Sequence, residues 1–425
     1  MSADNPTSEG LSDTNRLLIN DSRLLDSLQD LARIGATPEG GSCRLALTED
    51  DRLGRDWIVA RMNSLGMSVV VDRIGNIFGV RPGLDPQLAP VMTGSHIDTV
   101  RSGGAYDGNL GVLAGLEVVA TLDEAGIQTA RSLVVAVFTN EEGARFAPDM
   151  MGSLVYVGGM DLDQALQTRA IDGEVLGQAL QAIGYAGDAP LGLFRPDAFV
   201  ELHIEQGPVL DMEGVKIGVV QNLQGISWQR VVIKGQSNHA GTTPMHLRHD
   251  SGYAASAIAC FVRELARDMG GDQVATVGKV DLTPNLVNVI ASRAELTVDL
   301  RNTDEALLKQ AEVRLAEFLY KLSESEGVSI DSTSLARFEP VQFDTALADR
   351  IARHATSLGL SNRPMTSGAG HDAQMLARIC PTAMIFVPSV KGISHNPAEF
   401  TEPDDLVAGA NVLLATLYEL AQRGN

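Results

Sequence analysis

The chain has 425 residues, 44% of them hydrophobic, and 54 acidic against 33 basic side chains give a net charge of −21. This is ample for one large or two ordinary domains with substantial cores, and so acidic a surface argues against nucleic acid or an anionic membrane as partner. There is no apolar run of about 18 residues to span a membrane, and Met1 to Gly10 holds neither a basic stretch nor an apolar signal core; a cytoplasmic protein is expected.

In chain order, helical periodicity covers Ser22 to Ile34 and Glu49 to Leu65, followed by short β-rich runs at Met67 to Asp72 and Ile77 to Val80. Apolar strands and helices then alternate: Pro90 to Thr93, a nearly all-apolar helix from Leu110 to Ala125, and strands at Ser132 to Thr139 and Ala198 to Leu202. Such alternation predicts an α/β sheet covered by helices on both faces. From Lys216 to Ser332 the pattern changes to strands at Ile217 to Val220, Ile226 to Lys234, Gln273 to Val280 and Ser292 to Leu300, with helices at Ser251 to Met269 and Asp304 to Glu324. That is an α+β unit of ordinary domain size. The α/β pattern resumes with Phe343 to Gly359, a strand at Ala383 to Val387 and a helix from Pro403 to Arg423. The expected organisation is therefore a first domain in two parts, residues 1–215 and 333–425, interrupted by an inserted domain over 216–332. Cys43, Cys260 and Cys380 lack metal or redox spacing, and buried free thiols are expected.

Five polar segments carry the chemistry. Gly94-Ser95-His96-Ile97-Asp98, Asn140-Glu141-Glu142-Gly143 and Glu201-Leu202-His203-Ile204-Glu205-Gln206 each follow a strand-like run, where α/β sheets gather their sites. Ala105-Tyr106-Asp107-Gly108-Asn109 and Ile393-Ser394-His395-Asn396 complete the set. Singly, a His or Asp at a strand end is more often a turn residue than a ligand; jointly, three of only eight histidines fall in these segments. Imidazole and carboxylate without thiolate suit a catalytic metal site with open positions. Asp107, followed by Gly108, is placed to bridge two ions with its two oxygens. Neighbours on an extended chain point to opposite sides, so of Glu141 and Glu142 one can ligate while the other acts as general base. Asp98 is placed to accept the second ring N–H of His96.

Together with Asn238-His239-Ala240-Gly241-Thr242-Thr243-Pro244-Met245, Ser367-Gly368-Ala369-Gly370-His371-Asp372-Ala373 and Gly392-Ile393-Ser394-His395-Asn396, these motifs resemble the hydantoinase/carbamoylase branch of the di-metal amidohydrolases, in order over about residues 90–400. That branch includes N-carbamoyl-L-amino acid hydrolase, allantoate amidohydrolase and beta-ureidopropionase. The resemblance implies an α/β fold, a di-metal catalytic domain with a mixed sheet interrupted by an α+β domain that pairs two subunits. It makes His96 and His203 ligands of one ion, Glu142 and His395 ligands of the other, Asp107 the bridge and Glu141 the base. It gives Gln206 a polar contact to substrate, His239 a reach across the dimer interface to the carbonyl oxygen under attack, and Asn288 and Arg301 a grip on the substrate carboxylate. Asn238 stands where many relatives have a small residue, and His371 is either near the site or a helix-start residue. His246, His249 and His354 match no role.

The expected activity is hydrolysis of an N-carbamoyl-L-amino acid with two divalent ions per chain, zinc first and manganese, cobalt or nickel as alternatives. Allantoate or beta-ureidopropionate shares every residue named, whereas a dipeptidase or aminoacylase fits Asn288 and Arg301 less well. A non-catalytic binding protein would not need Glu141 beside Glu142.

Overall fold

The computed structural model describes residues 17–422, so the opening decapeptide and Arg423 lie outside the described residues. The chain divides into two compact units: the first takes the chain up to Val219, Ala346–Arg363 and the chain from Arg378 onward, and the second takes Val220–Thr345 and Pro364–Ala377. The strands are β1 (Ser68–Val71), β2 (Ile77–Arg81), β3 (Val91–His96), β4 (Leu133–Phe138), β5 (Ala198–Ile204), β6 (Ile217–Leu223), β7 (Gly225–Lys234), β8 (Val274–Thr283), β9 (Arg293–Asn302), β10 (Ser329–Phe338), β11 (Val341–Gln342), β12 (Asn362–Ser367) and β13 (Thr382–Val387).

In the first unit the sheet runs β1-β2-β4-β3-β5-β13. Its centre, β4-β3-β5-β13, is parallel, and every residue of those four strands is buried. This is why their sequences read as near-continuous apolar runs, without the alternation of a half-exposed strand. β1 and β2 close one side as antiparallel neighbours. The helix Asn109–Glu124 is buried from Asn109 to Leu122 and packs against the sheet and against the helices Asp21–Ala32 and Pro403–Gln422, so it shows no polar stripe. Parallel pairing aligns the strand ends, with His96 beside Phe138, His203 beside Phe386 and Ile204 beside Val387. The segments that continue from β3, β4, β5 and β13 therefore leave the sheet at one edge.

The helix Glu49–Ser64 begins with Thr48 accepting from Asp51 N, and Glu49, Asp50 and Asp51 occupy its first turn at the positive end of the helix dipole. Asp51 Oδ2 also accepts from Leu47 N and from Arg55 Nε, each at 2.8 Å, and the two side chains of this pair are 0% and 1% exposed. Arg55 donates onward to the Gly75 carbonyl at 2.7 Å and to Thr139 Oγ1 at 3.3 Å, tying the helix to the end of β4.

The second unit carries a separate antiparallel sheet, β10-β7-β9-β8. Along β9 burial alternates strictly: Ala294, Leu296, Val298 and Leu300 face the helices Ser251–Met269 and Glu305–Glu326, and Arg293, Glu295, Asp299 and Arg301 lie on the opposite face. Asp250 and Asp304 cap the two helices, and Gly327 ends the second in a left-handed turn.

Two expectations change. A boundary at residue 332 would cut β10, which pairs with β7 as far as Phe338 with Ile226; 333–345 and 364–377 group with the second unit. β10 is largely exposed, so it carries no apolar periodicity to announce it. Of the thiols, Cys380 is buried and Cys43 intermediate, but Cys260 is exposed, because it lies on the outer face of the helix Ser251–Met269. No helix among the described residues is long and apolar enough to cross a membrane.

Removing one partner of a buried ion pair strands the other charge, at a cost of about 3–5 kcal/mol. Asp51→Ala is expected to lower the unfolding free energy by about that amount in a denaturant titration. A loss no larger than that of an exposed charge would show that Arg55 finds other compensation.

Candidate metal centre

Four of the aligned strand ends and the loop before Asn109 deliver their polar residues to one place. Asp107 is 4% exposed, and its two oxygens face different groups. Oδ1 lies 3.6 Å from His96 Nε2 and 3.2 Å from His203 Nε2; Oδ2 lies 3.2 Å from His395 Nε2. Glu142 Oε2 is 3.3 Å from the same His395 nitrogen, and Glu141 Oε2 is 3.4 Å from His96 Nε2. His96, Asp107 and His203 thus form one group able to hold a metal ion, and Asp107, Glu142 and His395 form another, with Asp107 common to both.

The backbone makes this convergence. His96 Nδ1 sits 2.9 Å from the main-chain oxygen of Asp98, and His203 Nδ1 sits 2.8 Å from that of Ile204. Each ring thereby donates from Nδ1 to a carbonyl and turns Nε2 inward. The Asp98 carboxylate does not serve His96 as expected: its nearest oxygen is 3.9 Å from Nδ1. It accepts instead from Glu141 N at 3.2 Å and Glu142 N at 3.3 Å, so it holds the turn that presents both glutamates. Asn140, Gln206 and His395 all have left-handed backbones, with φ of 55°, 57° and 51°. Such conformations are costly for residues with side chains and concentrate at functional sites. Gly108, at φ 66°, has no room for a Cβ, which would come within 2.5 Å of the His96 ring.

Charge is concentrated and largely dry. Burial works against the Asp107 carboxylate, but the three imidazoles outweigh it and hold its pKa well below the usual range. Burial also opposes charge on His96, yet Glu141, Asp107 and Asp98 raise its pKa well above the ordinary value. His395, half exposed, is pushed up to about 10 by its bonds to Asp107 and Glu142. Glu399, absent from the expected site, belongs to this network: it is 6% exposed and accepts from Tyr106 N, Asp107 N and Ser394 Oγ. Burial, with Asp107 beside it, raises its carboxyl to about 7. In the sequence Glu399 is one acid in a polar loop, and only the contacts single it out.

The donor set is nitrogen and oxygen only, with three inward imidazoles and a carboxylate that offers one oxygen to each group. These residues fit two divalent ions of the kind that keep open positions for substrate.

The sequence profile of peptidase family M20/M25/M40 matches residues 92–419. The chain belongs to that family. Within it, the chain is 40% identical over 404 residues to N-carbamoyl-L-amino-acid amidohydrolase of Rhizobium meliloti, covering 95% of this chain and 97% of that one. It is 38% identical to allantoate amidohydrolase of Escherichia coli, covering 93% and 97%. Its structure matches that of a hydantoinase/carbamoylase family amidase from Burkholderia multivorans with a TM-score of 0.92 and 43% identity, covering 96% of this chain and all of that one. The M20 chain is therefore a hydantoinase/carbamoylase-type member, as its motifs imply.

The remaining expected residues of this M20 chain sit as follows. Gln206 Nε2 donates to Asp107 Oδ2 at 2.9 Å, placing the amide on the shared carboxylate itself. In the second unit, His239 is exposed and its Nδ1 accepts from Gly241 N and Thr242 N, which leaves Nε2–H to point outward. The Asn288 carbonyl accepts from Ala240 N, so the His239 and Asn288 segments lie side by side. Arg301 grips Asp299, two residues before it on the same face of β9, and donates to the Gly368 carbonyl at 2.6 Å. His371 precedes the short helix Asp372–Leu376, with Nε2 3.1 Å from Ser367 Oγ.

Gly108→Ala forces either the left-handed turn or the His96 ring to give, and strain of this kind costs about 1–3 kcal/mol. A drop of that size in unfolding free energy is expected. An unchanged denaturation midpoint would show that the ring has freedom to move aside.

Proposed function

We propose that this chain hydrolyses the carbamoyl C–N bond of an N-carbamoyl-L-amino acid, giving the amino acid, carbon dioxide and ammonia. The observation that carries the reading is Asp107, one oxygen toward His96 and His203 and the other toward His395, with Glu141 beside it and Glu142 completing the second group. Relatives from three organisms, 35–40% identical over nearly the whole chain, bear the name N-carbamoyl-L-amino acid amidohydrolase. His96, His203 and Asp107 would hold one divalent ion and Asp107, Glu142 and His395 the other, zinc or, with the same ligands, manganese, cobalt or nickel. The chemistry that such ions supply is polarisation of a carbonyl and acidification of water.

The rest is done by side chains. Glu141 takes a proton from the attacking water and returns it to the leaving nitrogen. Its burial, at 7% exposure, keeps competing water away. His239 donates from Nε2 to the carbonyl oxygen as negative charge develops there, a contribution typically worth a few kcal/mol. Gln206 orients the ureido group beside Asp107. Arg301, its fork fixed by Asp299, and Asn288 bind the substrate carboxylate, which an enzyme of net charge −21 must attract locally.

A second reading, a ureido acid such as allantoate, is supported by the allantoate amidohydrolase at 38% identity and by a ureidoglycolate hydrolase of Arabidopsis thaliana at 35%. A panel of both substrate classes on metal-loaded protein, scored by ammonia release, decides between them. N-carbamoyl-L-amino acids are expected to be turned over with the highest kcat/KM; preference for allantoate would replace the first reading by the second. On the better substrate Glu141→Gln should keep bound metal but lose at least about a hundredfold in kcat, because it removes only the proton acceptor. Near-parental turnover would mean that Glu141 is not the base.

The second unit is proposed to pair two copies in a cytoplasmic homodimer. Support comes from β8 at the edge of its sheet and from the exposed apolar residues Leu286 and Val287 beside the His239 segment. If His239 serves the neighbouring copy, a mixture of inactive His239→Ala and inactive Glu141→Gln chains recovers activity. Random exchange puts one complete site in each mixed dimer, so about a quarter of parental activity is expected. No recovery after demonstrated subunit exchange would place His239 in its own chain's site or outside catalysis.

A further inference from the structure

We infer that Glu399 is a positioning residue that couples the two metal groups, and that it does so through two separate arms. This rests on the reading of Asp107, Glu142 and His395 as ligands. One arm is Oε1, which accepts from Tyr106 N at 3.0 Å and Asp107 N at 3.2 Å and so fixes the main chain of the shared ligand. The other is Oε2, which accepts from Ser394 Oγ at 2.9 Å, the residue next to His395. Glu399 is anchored in the same loop, its own N–H donating to the Asn396 carbonyl at 2.9 Å. The loop is also held by Phe400, whose ring meets Tyr106 edge-on at 6.4 Å.

His395 is the ligand that most needs such support. Its side chain is 50% exposed, against 2% for His96 and 1% for His203, and its backbone is left-handed. Packing alone cannot fix a half-exposed imidazole, so its place depends on the loop. The site is built around Glu399 from the other side as well: a Cβ on Gly104 would lie 2.1 Å from Glu399 Oε1, which accounts for glycine there. Partners that orient metal ligands typically govern affinity by ten- to a hundredfold.

The two arms make different predictions. Cobalt(II) alone is titrated calorimetrically into metal-stripped full-length protein, with folding checked by circular dichroism. The parent should bind two ions. Ser394→Ala cuts the arm to His395, together with a longer contact from Gln206 Nε2 at 3.4 Å, and should weaken one ion by about tenfold or more while the other stays within about threefold. Glu399→Ala cuts both arms and should weaken both ions, since Asp107 is shared. Glu399→Gln keeps an oxygen for Tyr106 N and Asp107 N, so it should restore the less affected ion and remains informative if the alanine variant does not fold. Adding Ser394→Ala to Glu399→Ala should cost much less than Ser394→Ala does alone, because the contact between the two side chains is already cut. Two ions bound with parental affinity by Ser394→Ala and Glu399→Gln, or losses that add in the double variant, would overturn the coupling while leaving the ligand reading intact. A parent that binds fewer than two ions would overturn the ligand reading and the coupling together.

Discussion

Everything at this site depends on one buried carboxylate. Asp107 sits at 4% exposure with three imidazole nitrogens within 3.6 Å of its oxygens. An isolated carboxylate so placed would be expensive to ionise, and three imidazoles so close would repel one another if charged without it. Each makes the other tolerable, and divalent ions suit the same geometry. The cost is met by the surrounding fold through main-chain N–H groups, carbonyls that orient the rings, and a glycine where the turn has no space.

The sheet supplies the other half of the explanation. Parallel strands paired side by side bring their carboxyl ends together, so residues more than a hundred positions apart, such as His96 and His203, arrive at one end of the sheet. The buried strands tolerate no polar residue along their length except where it is satisfied, as Ser95 Oγ is by Glu201. The polar residues that follow His96, Phe138, Ile204 and Val387 therefore collect beyond the strand ends. The strain at Asn140, Gln206 and His395 lies in those connections, where a rigid sheet on one side can over-determine them.

The second unit obeys a different rule. Among the described residues the helices Ser251–Met269 and Glu305–Glu326 cover one face of its sheet, and the strict alternation along β9 leaves Asp299 and Arg301 together on the other. Arg301 is thus oriented by an acid of its own strand. Its guanidinium is held by Asp299 through Nε and Nη2 and by the Gly368 carbonyl through Nη1.

The sequence by itself determined the layout of buried elements and singled out the residues that the candidate metal centre brings together. Apolar runs mark β4 and β13 and the first halves of β3 and β5 because strands buried on both faces favour apolar residues, and the helix Asn109–Glu124 is legible for the same reason. His96, Asp107, Glu142, His203 and His395 were legible because their types, their placement after strands and their motifs agree, and the structure brings all five together. What only the tertiary structure decided lies in contacts between segments distant in sequence. The exposed strand β10 extends the second unit past residue 332 without an apolar period to announce it. Asp98 turns its carboxylate to the Glu141 and Glu142 amides and leaves only its carbonyl to His96. Glu399, nearly three hundred residues from Asp107, becomes its support. A hydrogen bond across such a separation leaves no local pattern, because its partners are chosen by the packed fold and not by their neighbours along the chain.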